Sequence, residues 1–263
     1  MVVIGQPLPR RRRRSLWLTF LLLLLIAIIV LLITNSVVML MRSNDVPTRP
    51  TPGALLYATT FDQNNDNWQQ EPGQASTQIQ NGAMIISIDE VRSIYSLLNQ
   101  EFTDLDLRVT VTLLDAPGET GSSDEFGVLF RFKDADNYYA FKLRADGAFR
   151  VELYKNGELD VISQWPTTPT LHIDVGKPNQ IRIIAHGEKF RFFFNDQQLD
   201  LCLKGPSRYS TWDKAGNCLS NGNQVSESFV DASLDWGKIA IAANATFPGL
   251  RVSFDNVLIY GPS

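Results

Sequence analysis

Residues 127–157 read GVLFRFKDADNYYAFKLRADGAFRVELYKNG, and this stretch decides the fold. In Gly127–Lys133, Val128, Phe130 and Phe132 alternate with Leu129, Arg131 and Lys133. Asp134–Asn137 is a turn. In Tyr138–Arg144, Tyr139, Phe141 and Leu143 share one face. Ala145-Asp146-Gly147 turns again, Ala148–Lys155 sends Phe149, Val151 and Leu153 inward, and Asn156-Gly157 is a strong hairpin signal. A period of two, held through successive segments joined by short turns, predicts an antiparallel meander with one buried face.

The same period extends in both directions. Met84–Ile88, Leu105–Leu114, Ile181–His186, Lys189–Phe194, Gln197–Leu203, Gly237–Ala243 and Val252–Tyr260 all read as strands. Past the N-terminal region no long stretch repeats every 3.6 residues. About a dozen short strands between Leu55 and Tyr260 predict an all-β fold, a two-sheet antiparallel sandwich of jelly-roll type.

The N-terminus is of another kind. Arg10–Arg14 runs almost directly into Leu16–Ile33, an apolar stretch of 18 residues broken only by Thr19. As a helix it would span about 27 Å, close to the hydrocarbon thickness of a bilayer. No acid precedes Asp45, so the unopposed arginines place the N-terminus in the cytoplasm and the remainder outside. A cleaved signal peptide would have a hydrophobic region of only about 7–15 residues. The expected organisation is therefore a basic cytoplasmic tail over 1–15, a single transmembrane helix over 16–41, a Pro-rich stalk over 42–53 and an extracytoplasmic domain over 54–263.

The chain carries 24 Lys+Arg and 28 Asp+Glu. Six of the basic residues precede Ser43, so residues 43–263 hold 18 against 28, a net of −10. An acidic domain argues against nucleic acid or anionic lipid as partner. The two cysteines, Cys202 and Cys218, lie where disulfides persist, and pairing them is the preferred reading over two buried thiols. No CxxC pair is present, and His172 and His186 are distant, which disfavours a metal site. Asn244-Ala245-Thr246 is a glycosylation sequon, meaningful in a eukaryotic host.

Phe61-Asp62…Trp68, the 127–157 block and the closing Val252-Ser253-Phe254-Asp255-Asn256-Val257 resemble the concanavalin A-like lectin/glucanase superfamily. Among its members the chain looks most like laminin-G-like and bacterial 3-keto-disaccharide hydrolase-like domains. The resemblance implies that the first and last strands, Leu55–Phe61 and Val252–Tyr260, pair in one sheet. It also implies a protein that binds glycans, hydrolyses them, or serves in adhesion and assembly. The Glu-x-Asp-x-x-Glu signature of the glucanase branch is absent, which argues against that activity.

Four groups of residues are candidates for a site. With Phe130, Phe141 and Val151 inward, Arg131, Tyr138, Lys142, Arg150, Glu152 and Tyr154 share the opposite face, and Trp165 follows on a loop. Aromatic rings with charged groups suit a sugar; the bland alternative is a solvated face with cross-strand pairs such as Lys142–Glu152. Asp62-Gln63-Asn64-Asn65-Asp66 resembles the start of a calcium loop, but Asn67 stands at its glycine position and Gly73 at its glutamate position. A calcium site built with Asp255 is a further alternative, and no cofactor is otherwise expected. Asp104/Asp106 and Asp124/Glu125 are paired carboxylates at strand starts, more in keeping with solvated ends than with glycoside hydrolysis. The Lys204–Val230 loop holds Tyr209 and Trp212, which either pack the stapled lobe or present a contact. The function expected is a membrane-anchored module that binds a glycan or surface protein without catalysis. A glycan-degrading hydrolase and a docking module of a membrane-protein complex are the alternatives.

Overall fold

The computed structural model describes residues 14–42, 47–63, 67–116, 123–165, 171, 173–203, 211–213, 215–219 and 225–263. The chain divides into two compact units, Met1–Val46 and Pro47–Ser263. The first holds the helix α1 (Arg14–Arg42). Its described side chains, Trp17 and Phe20–Ile33, are exposed. No helix among the described residues is long and apolar enough to cross a membrane, so the anchor expected over 16–41 is not shown. The arginines 10–13 lie outside the described residues.

The second unit is all-β. Its strands are β1 (Leu55–Thr59), β2 (Ala75–Gln80), β3 (Ala83–Ile88), β4 (Arg92–Phe102), β5 (Leu105–Asp115), β6 (Glu125–Asp134), β7 (Asn137–Arg144), β8 (Phe149–Lys155), β9 (Glu158–Trp165), β10 (Pro178–His186), β11 (Lys189–Phe194), β12 (Gln197–Gln198), β13 (Leu201–Cys202), β14 (Val225–Ser226), β15 (Phe229–Val230), β16 (Gly237–Ala245) and β17 (Leu250–Tyr260). One sheet runs β12-β11-β10-β5-β17-β3-β2, with β1 on β17 and β15 on β11; the other runs β4-β16-β6-β7-β8-β9. The first and last strands pair as expected, with Leu55 opposite Tyr260. Between the sheets lies one apolar core in which Val128, Phe141, Val151, Ile183, Phe192 and Phe254 are fully buried.

Edge strands invite unwanted pairing, and both edges of the six-stranded sheet are covered. Along β4, Trp68 bridges Leu98 and Gln69 N–H donates to Leu97 O. Along β9, Cys202 N–H donates to Ser163 Oγ at 3.0 Å and Thr211 N–H donates to Gln164 O. That cover is held by a Cys202–Cys218 disulfide, and Trp212 is buried against it. Trp212 thus packs the lobe; Tyr209 lies outside the described residues. The stalk is part of the domain from Pro47 onward. Thr103 Oγ1 donates to Thr48 O, and Gly53 N–H donates to Gly261 O at 2.8 Å.

The alternation expected over Gly127–Lys133 breaks at Arg131. This residue has φ +49°, and the pairing of β6 with both neighbours shifts register there. The bulge turns Arg131 into the interior and sends Phe132 to the opposite face beside Leu129, Ala140 and Ala240. The guanidinium is 1% exposed. Nη1 donates to Leu234 O at 2.7 Å; Nη2 donates to Gly187 O at 2.6 Å and Thr103 O at 3.2 Å. It lies 3.6 Å from Asp104 and stacks over Phe190. Gly237 makes room for the bulge, since a Cβ there would sit 2.4 Å from the Arg131 carbonyl carbon. A left-handed non-glycine residue costs about 1–3 kcal/mol, which three charge-assisted hydrogen bonds offset.

Arg131→Met should leave three carbonyls and Asp104 without their cation. Stability in guanidinium denaturation is expected to fall by about 3–5 kcal/mol; a loss below about 1 kcal/mol would show that the arginine ties nothing together. Reducing the disulfide should cost roughly 3 kcal/mol, read from the same curves with and without reductant.

Candidate functional site

The face of the six-stranded sheet turned away from the core carries a depression. Its register aligns Tyr95, Ala242, Gly127, Lys142, Arg150 and Gln164 in one row across all six strands. The row beside it holds Leu97, Ala240, Leu129, Ala140 and Glu152. Small side chains at the centre with large ones around them leave a cavity of about 260 Å³. Its wall includes Tyr95, Tyr138, Tyr154, Glu125, Lys142 and Asn244. Gly127 in the first row leaves no room for a side chain, because a Cβ there would meet Phe141 O at 2.1 Å.

One side of the cavity is aromatic. Tyr95, Phe132, Tyr138 and Tyr154 form a chain of rings, with successive centroids 5.3, 5.6 and 4.7 Å apart. The other side is charged. Lys142 Nζ lies 2.8 Å from Glu152 and 3.5 Å from Glu125. Arg150 lies 3.2 Å from Glu125 and also pairs with Glu152. Two acids and two bases are thus balanced in a half-dry setting, where removing one member costs far more than the pair contributes.

Five of the expected site residues therefore come together: Tyr138, Lys142, Arg150, Glu152 and Tyr154. Glu152 is 0% exposed, so it pairs with Lys142 and Arg150 from beneath and does not line the cavity. Arg131 is the exception, buried on the other side of the sheet by the bulge. Trp165 closes β9 opposite Phe149; its side chain lies outside the described residues. Alternation along the sequence does not single out Tyr95 and Glu125, which line the cavity, or Phe132, which links the aromatic rings. Phe132 was assigned inward because a bulge leaves no mark in a two-residue period. Tyr95 sits on β4, whose inward face includes the buried Ser96, so no clean alternation flagged the strand. Glu125 was paired by sequence with Asp124, yet adjacent residues of a strand point apart.

The remaining candidates separate in the same way. Asp124 is buried and accepts from Thr246 N–H and Oγ1 at 2.6 and 2.7 Å. Asp104 accepts from Gly187 N–H, while Asp106 turns to Arg182 and Arg108. Asp62 accepts from Thr60 Oγ1, and residues 64–66 of the calcium-like loop lie outside the described residues, as does His172. Asp255 holds its neighbour Asn256. No group of three or more His, Cys, Asp or Glu that could hold a metal exists among the described residues.

The family model for the 3-keto-alpha-glucoside-1,2-lyase-like domain matches residues 57–259. Among proteins of curated function, none matches the chain. Solved structures share the fold at low identity. A Bacillus subtilis protein of unknown function with a galectin-like fold superposes with TM-score 0.54 at 12% identity, over 80% of this chain and 97% of that one. The catalytic domain of an endo-1,3-beta-glucanase (laminarinase) from Thermotoga petrophila RKU-1 gives 0.51 at 8%, over 80% and 98%. The carbohydrate recognition domain of Emp47p gives 0.51 at 11%, over 81% and 94%. These identities establish the sandwich and nothing about ligands.

Burial, with the nearby Tyr154 and Glu152, pushes the Tyr138 phenol well above its ordinary value. Burial and the hydrogen bond that its hydroxyl donates to Asp231 do the same for Tyr139 on the core side. Both rings favour the folded state in their protonated form. Their contribution is full below the unfolded phenol value of about 10 and is lost as pH rises toward the folded values. Denaturation midpoints should therefore drop as pH rises above about 10, with two tyrosines silent in the 295 nm phenolate titration until the domain unfolds. Full ionisation of all tyrosines in the folded domain near pH 11 would contradict this.

Proposed function

The chain belongs to the 3-keto-alpha-glucoside-1,2-lyase-like domain family, and we propose that its sandwich is a glycan-binding module held outside the cell by a transmembrane helix over residues 16–41. One observation carries the binding reading. Tyr95, Tyr138 and Tyr154 border the same cavity as Glu125 and Lys142. Aromatic faces cover the apolar C–H faces of a sugar ring, while a carboxylate and an ammonium together accept from and donate to its hydroxyls. Leu129, Ala242 and Ala243 line the rest of the cavity with apolar surface.

The anchored reading is supported by the arginine run followed by an apolar helix whose described side chains, Trp17 and Phe20–Ile33, are exposed. A helix apolar all round is otherwise found inside a large core or a membrane. Thr48 of the stalk docks beside Thr103. The Ser93–Tyr95 wall of the cavity lies at the opposite end of β4, about 25 Å away at 3.3 Å per residue.

Catalysis is the second reading, and Glu125 favours it. Glu125 and Glu152 both lie within 3.5 Å of Lys142 Nζ, a separation compatible with paired carboxylates in glycoside hydrolysis. Because Glu152 is enclosed, only Glu125 of the two meets the cavity, one carboxylate where hydrolysis needs two. Elimination from a 3-keto glycoside, the chemistry in the family's description, needs one base, and Glu125 is placed for it.

A glycan array probed with residues 47–263 should show specific binding that weakens at least tenfold in Tyr138→Ala and in Lys142→Ala. Release of product from 3-keto glucosides, lost in Glu125→Gln, would move the assignment to a lyase. Silence in both assays would remove the glycan reading and leave docking to a membrane protein.

A further inference from the structure

The cavity is bounded at both ends of the strands that carry it. Toward one end a row runs through Ser93, Asn244, Glu125 and Arg144, and the first three of these line the cavity. Toward the other end Tyr138 and Tyr154 stand opposite each other, with Ala135 in the turn beyond. Tyr95 borders the flank on β4 and Lys142 the flank on β7. The sheet continues past Lys142 into β8 and β9, but its surface there is filled. Lys142, Arg144, Arg150, Gln164 and Glu125 enclose only about 10 Å³, no more than a single water needs. Arg150 is tied there to Glu125 and Glu152, and Arg144 to Asp146. A second sugar ring cannot lie flat on that side. The cavity itself, at about 260 Å³, falls below the roughly 300–1,000 Å³ of pockets for drug-sized ligands. It has room for one sugar ring and not for two.

The polar groups of the wall point the same way. Ser93 Oγ donates to Asn244 Oδ1 at 2.9 Å, and the amide nitrogen of Asn244 has no partner among the described residues. The Lys142 ammonium has three N–H groups for two carboxylates, Glu152 and Glu125. With Glu125 as acceptor, these groups make a corner of two donors and one acceptor. A free hydroxyl suits both kinds, because it donates to a carboxylate and accepts from a nitrogen. An oxygen that carries the next sugar has no proton to give Glu125, and it brings a second ring against the wall.

We propose that the cavity reads the end of a glycan. It takes the terminal, non-reducing unit, with free hydroxyls on Asn244, Glu125 and Lys142 and the anomeric carbon toward the mouth. The inference rests on the cavity being a sugar site and adds which part of a chain it holds. Residues 47–263 form one compact unit with its own core and serve for the test. Calorimetric titrations would use the methyl glycosides of glucose, galactose and mannose, and short oligosaccharides that end in the same sugars. The best methyl glycoside should bind within about threefold of the oligosaccharides it terminates. Borohydride reduction of their other end should change nothing, and methylation of the terminal hydroxyls should lower affinity at least about tenfold. Ala242→Leu, which puts a larger side chain into the cavity from a half-buried position, should abolish binding at an unchanged melting temperature. Asn244→Ala should weaken it about tenfold. Affinity that climbs about tenfold with each added unit while methyl glycosides are ignored, loss of binding on reduction, or unchanged binding by both variants would each overturn end recognition and leave the cavity a sugar site. Absence of binding to every sugar tried would instead strike the sugar site, and this proposal with it.

Discussion

Arg131 is the point at which the sandwich is tied. Its guanidinium holds carbonyls from the β4–β5 junction, the β10–β11 turn and the segment before β16. Those three pieces close one end of the molecule, and the stalk docks beside them through Thr48 and Arg49. An uncompensated buried guanidinium would be intolerable; here nearly every direction around it is filled by a carbonyl, Asp104 or the Phe190 ring. The left-handed backbone that turns Arg131 inward is the same distortion that turns Phe132 outward. The bulge therefore closes one side of the sheet and supplies an aromatic to the other.

The cavity depends on that exchange. Without Phe132 on the outer face, Tyr95 and Tyr138 would have no ring between them, and the aromatic chain from β4 to β8 would be broken. The charged side is built differently. Glu152 is sealed beneath Lys142 and Arg150 and pulls both toward Glu125. A buried acid that orders two partly exposed bases fixes where a ligand's hydroxyls would find donors. The shared apolar core holds the cavity-bearing sheet and the nine-stranded sheet back to back.

Much of this was legible in residue order. The period of two in 127–157, the turn dipeptides and the lone cysteine pair depend on local sterics and on spacing, and all three are present in the fold apart from the break in alternation at Arg131. Tyr138, Lys142, Arg150, Glu152 and Tyr154 share a face because alternation within a strand puts them there. β4 was harder to see. Its Ile94, Ser96 and Leu98 face inward while Tyr95 and Leu97 stay partly buried outside, so both faces are apolar and the contrast that reveals a strand is absent.

By itself the sequence determined the β-sandwich, the contrast between an apolar basic N-terminus and an acidic remainder, and one face of the candidate site. Those are properties of neighbours along the chain, governed by alternation and composition. Tertiary structure alone decided that Arg131 is a buried tie, that Glu125 and not Asp124 meets the cavity, and that Tyr95, more than thirty residues upstream, completes its wall. The reason is physical. A bulge and a sheet register are set by contacts between distant strands, and a shift of one residue exchanges the inside of a sheet for its outside.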